Sequence, residues 1–275
     1  MKKIISLMLA LLMCASAMFA FSSCNEEEPE GDGAEQENTL VCGVTIFDNM
    51  NEQDENGNWI GFESEFAIEV GKLIGMDVEF QVIDWAQKYS ELNSGKIDCI
   101  WNGFTANSSD DGIERKDLVD FSYTYMLNQQ CVVVKKSNLE SYKAEADLAG
   151  KTAAVEGGSA GAAYAKEAVG KDGKLVEFAA QNSTFLEVNS GKSDFAVVDI
   201  LLAKNVCGKG DYTDLVIVDA IELDAEYYAV GFKKGSELTA KVNEAIKTLE
   251  ENGKLLEIAT KYGFENVLQV TENID

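Results

Sequence analysis

Leu92-Asn93-Ser94-Gly95-Lys96-Ile97-Asp98 recurs in the chain as Val188-Asn189-Ser190-Gly191-Lys192-Ser193-Asp194. Each copy reads as the end of a helix, a glycine stop, and an aspartate that opens an apolar strand. Glycine suits the stop because it enters the left-handed region without a Cβ clash. The copies lie one lobe's length apart, so the repeat points to two similarly built α/β lobes rather than one large sheet. Generic helix-stop chemistry also produces a match this short, so the duplication has to be tested on the rest of the chain.

Outward from the repeat, short strands alternate with helices. Leu40 to Phe47 reads as a strand, and Glu63 to Ile74 as a helix with Phe66, Val70, Leu73 and Ile74 on one face and Gly75 as its stop. Val78, Phe80 and Val82 alternate as a strand, Tyr89 and Leu92 lie on a second helix, and Ile97 to Trp101 form the next strand. Ser236 to Tyr262 is helical, with Leu238, Val242, Ile246 and Leu249 as an apolar stripe that Gly253 interrupts. This order implies an α/β fold with largely parallel sheets. Ligands of open parallel sheets sit outside the carboxyl ends of the strands. Five residues beyond Asp98 is Gly103, and five beyond Asp194 is Asp199. Two facing lobes would therefore set Asn102-Gly103-Phe104-Thr105 opposite Asp199.

The N-terminus carries Lys2 and Lys3, an uncharged apolar run from Ile4 to Ala20, and Ser22-Ser23 before Cys24. That order reads as a secretion signal over residues 1–23, the run being too short for a confident membrane span. Phe21-Ser22-Ser23-Cys24 resembles a bacterial lipobox, with Phe21 where an aliphatic residue is usual, and makes Cys24 the expected lipidation site. Residues 24–39 then form an acidic tether, since residues 25–39 hold seven acids and no large apolar side chain.

The formal net charge of −25 argues against nucleic acid as a partner. Histidine is absent, which removes Ser-His, Cys-His and His-zinc chemistry; no metal and no cofactor is expected. Cys42, Cys99, Cys131 and Cys207 are widely spaced, and the first three sit in apolar runs that suit buried free thiols. Glu52-x-Asp54-x-Asn56-Gly57-x5-Glu63 nearly fits a calcium loop, but a hairpin turn at Asn56-Gly57 is the simpler account.

A wider ordered set joins the repeat. It comprises Asp54-Glu55-Asn56-Gly57…Ile60-Gly61-Phe62, Ile83-Asp84-Trp85, Asn102-Gly103-Phe104-Thr105, Glu114-Arg115-Lys116…Val119-Asp120-Phe121-Ser122, Cys131–Lys136, Asp147-Leu148-Ala149-Gly150-Lys151, Phe195–Asp199 and Tyr228–Gly235. In this order the chain resembles the extracellular solute-binding proteins of family 3, which serve ABC importers of polar amino acids. The resemblance implies a two-lobed fold of the type II periplasmic-binding-protein kind, with two parallel-sheet lobes joined by two hinge strands. Lobe 1 would be residues 40–124 plus 229–275 and lobe 2 residues 130–223, with hinges at 125–129 and 224–228. It further implies a monomeric, non-enzymatic lipoprotein that binds a free amino acid and passes it to an ABC permease. Such a protein works at the cell surface, anchored to the outer face of the cytoplasmic membrane, or in the periplasm. A sensor-type amino-acid module and a cyclohexadienyl-dehydratase-like enzyme are the alternatives on the same fold.

The resemblance also assigns residues to the cleft. Arg115, the chain's one arginine, stands where the family clamps the ligand carboxylate, and a guanidinium fits a carboxylate with two parallel N–H groups. Counted forward from Thr105 it arrives about five residues late, because residues 106–112 are lengthened, so those residues either bulge out or displace it. Gly157 and Ser159, at a helix start that attracts anions, would hold the carboxylate from the other lobe. Asp199 would pair with the ammonium, with Thr105 and the Gly103 carbonyl as further acceptors and Asn102 beside them. Phe47 and Trp85 would flank the ligand with their rings.

Overall fold

The computed structural model describes residues 38–272. The expected secretion signal, the lipidation site Cys24 and the tether up to residue 37 lie outside the described residues, as do residues 273–275. Thr39 already belongs to the first strand, one residue earlier than the tether boundary drawn from sequence.

The chain begins with β1 (Thr39–Val44), a hairpin of β2 (Glu52–Gln53) and β3 (Trp59–Ile60), α1 (Phe62–Ile74), β4 (Asp77–Val82), α2 (Lys88–Ser94) and β5 (Cys99–Ile100). A second hairpin, β6 (Ser109–Asp110) and β7 (Ile113–Glu114), precedes the short turn α3 (Arg115–Leu118) and the long strand β8 (Asp120–Lys135). Then follow β9 (Thr152–Glu156), α4 (Ala160–Val169), β10 (Lys174–Phe178), α5 (Asn182–Asn189), β11 (Phe195–Asp199), α6 (Ile200–Val206) and β12 (Leu215–Ile217). The chain closes with β13 (Ala225–Phe232), α7 (Glu237–Glu251), α8 (Lys254–Tyr262) and β14 (Leu268–Thr271).

The main sheet runs β10-β9-β11-β8-β13-β5-β1-β4. It holds two parallel trios: β1 with β4 and β5, and β9 with β10 and β11. Each trio turns antiparallel where it meets the shared pair, β5 against β13 and β11 against β8. The result is two α/β lobes of mixed rather than purely parallel sheet. Strand β8 belongs to both: Asp120–Gln129 pair with β13, while Gln130–Val133 pair with β11.

The repeat is built identically in the two lobes. Gly95 is left-handed at φ 75° and Gly191 at φ 77°. The Asp98 N–H donates to the Val41 carbonyl at 2.8 Å and its carboxylate accepts from the Val41 N–H at 2.8 Å. Asp194 does the same to Thr152, at 2.8 Å and 2.8 Å. Each aspartate thus ties the incoming strand to the first strand of its own parallel trio, which is why Asp belongs at that position.

Three expectations change in detail. The strand expected to reach Phe47 stops at Val44, because Phe47 folds into a tight turn in which its carbonyl accepts from Met50 and Asn51. The strand expected over 97–101 has ladder pairing only at Cys99 and Ile100. Residues 106–112 do not bulge out passively: they carry β6 into a hairpin whose turn residues Asp111 and Gly112 have φ 50° and 82°. Two positive φ values in a two-residue loop are what a twisted hairpin requires.

One apolar cluster runs from β1 and α1 through β8 to α5 and α6, so the two lobes share part of their interior. Phe66 on α1 lies edge-on to Trp101 at 5.1 Å and to Tyr125 at 5.3 Å between ring centres. In the other lobe Val132, Val134, Ala153, Val155 and Phe195 are buried under α4. Cys42, Cys99 and Cys131 are buried free thiols, and Cys207 is a half-buried one. At the expected Asn56-Gly57 turn, the Asp54 carboxylate accepts from the N–H groups of Asn56 and Asn58, which fixes the β2–β3 loop.

Candidate functional site

The carboxyl ends of β1, β5, β9 and β11 meet where the two lobes face each other. Trp85 follows β4 in a single 3-10 turn, is 3 % exposed, and meets Phe104 edge-on at 5.6 Å. Phe47 is also buried, and Gly103 passes beside it at φ 55°. A Cβ on Gly103 would come within 3.2 Å of the Phe47 ring and 3.1 Å of the Tyr228 ring, so a side chain there would crowd both rings on a left-handed backbone that favours glycine.

Arg115 is 1 % exposed despite the inserted hairpin. Its Nη1 donates to the Thr105 carbonyl at 3.1 Å, and its Nη2 donates to the Gly158 carbonyl of the facing lobe at 3.3 Å. Nε and Nη2 also donate to Asp110 Oδ1, at 3.2 and 3.0 Å. Asp110 sits on β6, so the extra residues return a carboxylate to the arginine they precede. Lys88, which the sequence reading passed over, is buried in the same place. Its ammonium donates to the Gly158 carbonyl at 2.8 Å, lies 3.4 Å from Asp110 and faces the ring of Tyr89 at 4.6 Å. Burial first, and the Arg115 charge second, bring the Lys88 pKa down to about 8. Burial pushes Asp110 up, but the charges of Arg115 and Lys88 outweigh it and hold the carboxyl below its ordinary value.

Across from these cations lies α4. Ser159 caps it, its hydroxyl accepting from the Ala162 N–H at 3.0 Å. The Gly157 N–H donates to the Phe178 carbonyl at 2.9 Å and is therefore spent on the sheet. The backbone that reaches Lys88 and Arg115 is Gly158, left-handed at φ 71° and outside the sequence-derived site.

The cleft also holds four carboxyls, of which Glu156 feels the Lys88 charge and Glu226 the Arg115 charge. Asp199 closes β11, fully enclosed, and accepts from Asn128 Nδ2, from Gln130 Nε2 at 2.7 Å, and from Gln181 Nε2. Glu226 on β13 accepts from the same two amides, Asn128 at 2.8 Å and Gln130 at 2.9 Å, and from the Thr105 hydroxyl at 3.2 Å. Glu156 ends β9 with Oε1 3.4 Å from the Thr45 hydroxyl. That hydroxyl's one proton is engaged by Asn102 Oδ1 at 2.7 Å, so Glu156 gains little from it. Asn102 also donates to the Thr45 carbonyl at 2.9 Å and to Asn51 at 2.8 Å, which makes it a brace for the Phe47 loop. Glu63 accepts the Gly103 N–H at 2.9 Å and the Tyr125 hydroxyl.

Burial raises all four carboxyls: Glu63 to about 7, Glu156 to about 8, Glu226 to about 7, and Asp199 upward. The Asp199 charge adds to the rise at Glu156 and Glu226. Of the residues expected from sequence, Phe47, Trp85, Gly103, Thr105, Arg115, Ser159 and Asp199 converge on this gap. Asn102 and the Gly157 N–H are occupied in bracing it. Glu156 and Gly158 join from the same turn that carries Gly157 and Ser159, and Lys88, Asn128 and Glu226 join from positions that no local motif marked.

Residues 40–266 match the bacterial extracellular solute-binding proteins, family 3. The chain is 29 % identical to the arginine-binding extracellular protein ArtP of Bacillus subtilis, over 92 % of this chain and 96 % of that one. It is 30 % identical to the L-cystine-binding protein TcyA of the same organism, over 75 % of this chain and 74 % of the relative. Among solved structures, an ancestral arginine-binding protein bound to arginine superposes with a TM-score of 0.74 at 33 % identity, covering 82 % of this chain and 98 % of the other.

Proposed function

We propose that this chain, which belongs to the bacterial extracellular solute-binding proteins of family 3, binds a free amino acid between its lobes and delivers it to an ABC importer. The observation that carries this reading is the division of charge across the buried gap. Lys88 and Arg115 reach Gly158 at the start of α4, Asp199 ends β11 in a cage of side-chain amides, and Glu226 links the two, bonded to the same amides and within the field of Arg115. A zwitterion places a carboxylate and an ammonium on one carbon, and this gap offers each a fixed opposite charge. The names of the relatives, which bind arginine and cystine, support the same substrate class.

In this reading Arg115 is the carboxylate clamp. Its remaining N–H, the Lys88 ammonium and the first-turn N–H groups of α4 complete the anion site. Asp199 receives the ammonium, Thr105 and the Gly103 carbonyl add acceptors, and Phe47 and Trp85 flank the bound molecule. The lobes are residues 40–124 plus 229–275 and residues 130–223. The crossings 125–129 and 224–228 lie on the paired segments of β8 and β13, a geometry that supports hinge closure with the ligand favouring the closed state. The protein acts as a monomer outside the cytoplasm, held to the membrane by a lipid on Cys24, and catalyses no reaction.

A thermal-shift screen of the twenty amino acids and close relatives tests this, since a ligand that binds only the folded form raises the melting temperature. Arg115→Ala should lose the shift given by the cognate amino acid while the ligand-free variant still melts cooperatively. Full retention of binding by Arg115→Ala would remove the clamp assignment, and no shift with any amino acid would remove the function. Turnover of prephenate or arogenate would replace binding with catalysis.

A further inference from the structure

Asp110 lies within the lengthened residues 106–112, and its contacts are not those of a surface turn. The Arg115 N–H donates to the Ser108 carbonyl at 2.9 Å, and Asp110 pairs with Ile113 across the β6–β7 ladder. The hairpin thereby sets the Asp110 carboxylate directly beside the guanidinium. Oδ1 accepts from Nε and Nη2 of Arg115. Oδ2 accepts from the Tyr89 hydroxyl at 2.6 Å and lies 3.4 Å from the Lys88 ammonium. One carboxylate therefore touches two cations whose side chains are 1 % and 2 % exposed.

The two cations need such a partner. Lys88 and Arg115 both donate to the Gly158 carbonyl, at 2.8 and 3.3 Å, which brings two like charges together beside the rings of Tyr89 and Phe104. A neutral carbonyl satisfies a donor but cancels no charge, and buried like charges push each other toward the neutral form. Arginine keeps its proton in any protein setting, so the pressure falls on Lys88. Burial and then the Arg115 charge lower the Lys88 pKa; Asp110, followed by Glu156 on β9, holds it up. Among the described residues, Asp110 is the carboxylate that pairs with Lys88 in a salt bridge.

We infer that Asp110 is a positioning residue: it holds the Lys88 ammonium charged beside Arg115, so that the open cleft already presents two cations to the ligand carboxylate. This rests on the amino-acid reading above and deepens it. Gly158 and Glu156 lie on the facing lobe and withdraw when the hinge opens, whereas Asp110 stays with the cations it touches. Asp110 grips Arg115 by Nε and Nη2, and Nη1 gives one of its two N–H groups to the Thr105 carbonyl. The other N–H of Nη1 and the Lys88 ammonium are then the two donors for the ligand. A carboxylate bridged by two cations needs no bidentate face on either of them.

A double-mutant cycle of Asp110→Asn and Lys88→Met, read by calorimetric titration, tests the inference. The probes are the twenty amino acids, the tightest binder being carried through, and the α-amide of that amino acid, which keeps its ammonium and side chain but has no carboxylate. Asp110→Asn should weaken binding of the amino acid about tenfold and that of the α-amide less than about threefold. In the Lys88→Met background the same substitution should cost less than about threefold, because the charge it protects is gone. Ligand-free melting temperatures are measured alongside. If Asp110→Asn alone leaves a buried cation unpaired and fails to fold, the double variant compared with Lys88→Met still decides. Equal costs of Asp110→Asn with and without Lys88, or an equal loss for the α-amide, would overturn the inference and leave amino-acid binding standing. Tighter binding in Asp110→Asn would overturn it as well, by showing that Asp110 competes with the ligand carboxylate for Arg115. Absence of binding by every amino acid to the wild-type chain would remove both readings together.

Discussion

After Asp98, the first lobe's strand leads to Gly103, a residue without a side chain whose N–H goes to Glu63. After Asp194, the second lobe's strand leads to Asp199, a carboxylate gripped by three side-chain amides. Up to the aspartates the two copies share their hydrogen bonds, including the backbone link from Lys96 to Glu91 and from Lys192 to Glu187 at 3.1 Å each. Five residues later each backbone N–H still donates to a side-chain oxygen, Gly103 to Glu63 and Asp199 to Gln181, but the side chains diverge completely. The difference teaches that the repeated residues hold a strand in place, whereas the residues at the strand ends decide what the gap binds. One lobe gives up a side chain so that rings and backbone can approach, and the other supplies charge.

The largest expected effect comes from removing the charge. Asp199→Ala should weaken amino-acid binding by two orders of magnitude or more, roughly 3–5 kcal/mol for an ion pair broken inside a closed gap. Isothermal titration measures this, and an affinity within threefold of the wild type would show that the second lobe's strand end is no more a ligand group than the first's.

The next effect concerns pH. Glu63, Glu226 and Glu156 have folded pKa values near 7, 7 and 8, all above their ordinary 4.5, and Asp199 is also raised. The folded state then holds more protons than the unfolded chain between these limits. The stability this brings is fully present below the ordinary value and is lost as pH rises through the folded values. Lys88 acts in a different window: its folded pKa near 8 lies below 10.5, so it makes stability rise only between those values. Asp110, held low by Arg115 and Lys88, contributes only in acid. The ligand-free melting temperature should therefore fall by several degrees as pH is raised from about 5 to about 8, and ligand binding should tighten over the same range. Glu156→Gln should flatten part of the slope. A melting temperature that stays level would mean that these carboxyls are already paired.

The smallest effect tests the shared half of the repeat. Asp98→Ala and Asp194→Ala each remove one side-chain bond to the neighbouring strand's N–H. Asp98 is half-buried and Asp194 exposed. Urea denaturation should give about 1 kcal/mol for Asp98 and less for Asp194, because an exposed N–H regains a water partner. A larger cost at Asp194 would break the equivalence of the two scaffolds. Ligand affinity in both variants should change little.

The fold was largely legible because its signals are local. Gly75, Gly95 and Gly263 stop helices by their own backbone freedom, and the apolar spacing of α1 and α7 follows the helical period. The misjudged strand end at Phe47 has a non-local cause, since Asn102 braces that turn from 55 positions away (Asn102 to Phe47 in the sequence) through Thr45 and Asn51. Asp199 was legible through the repeat, and Arg115 through the family resemblance carried by Glu114-Arg115-Lys116…Val119-Asp120-Phe121-Ser122. Glu156 looked like an ordinary residue before a capping turn, Lys88 like a residue of an amphipathic helix, and Glu226 like part of a crossing strand.

Alone, the sequence determined the alternation of strands and helices, the two equivalent helix stops, and the presence of one arginine and a strand-ending aspartate. These follow from backbone sterics and periodicity, which act over a few residues. Only the tertiary structure decided that the inserted hairpin hands Asp110 back to Arg115, that Lys88 joins them, and that four buried carboxyls share the cleft with these cations. Charge in a buried gap is a sum over groups brought together from distant segments, and no short stretch of chain contains that sum.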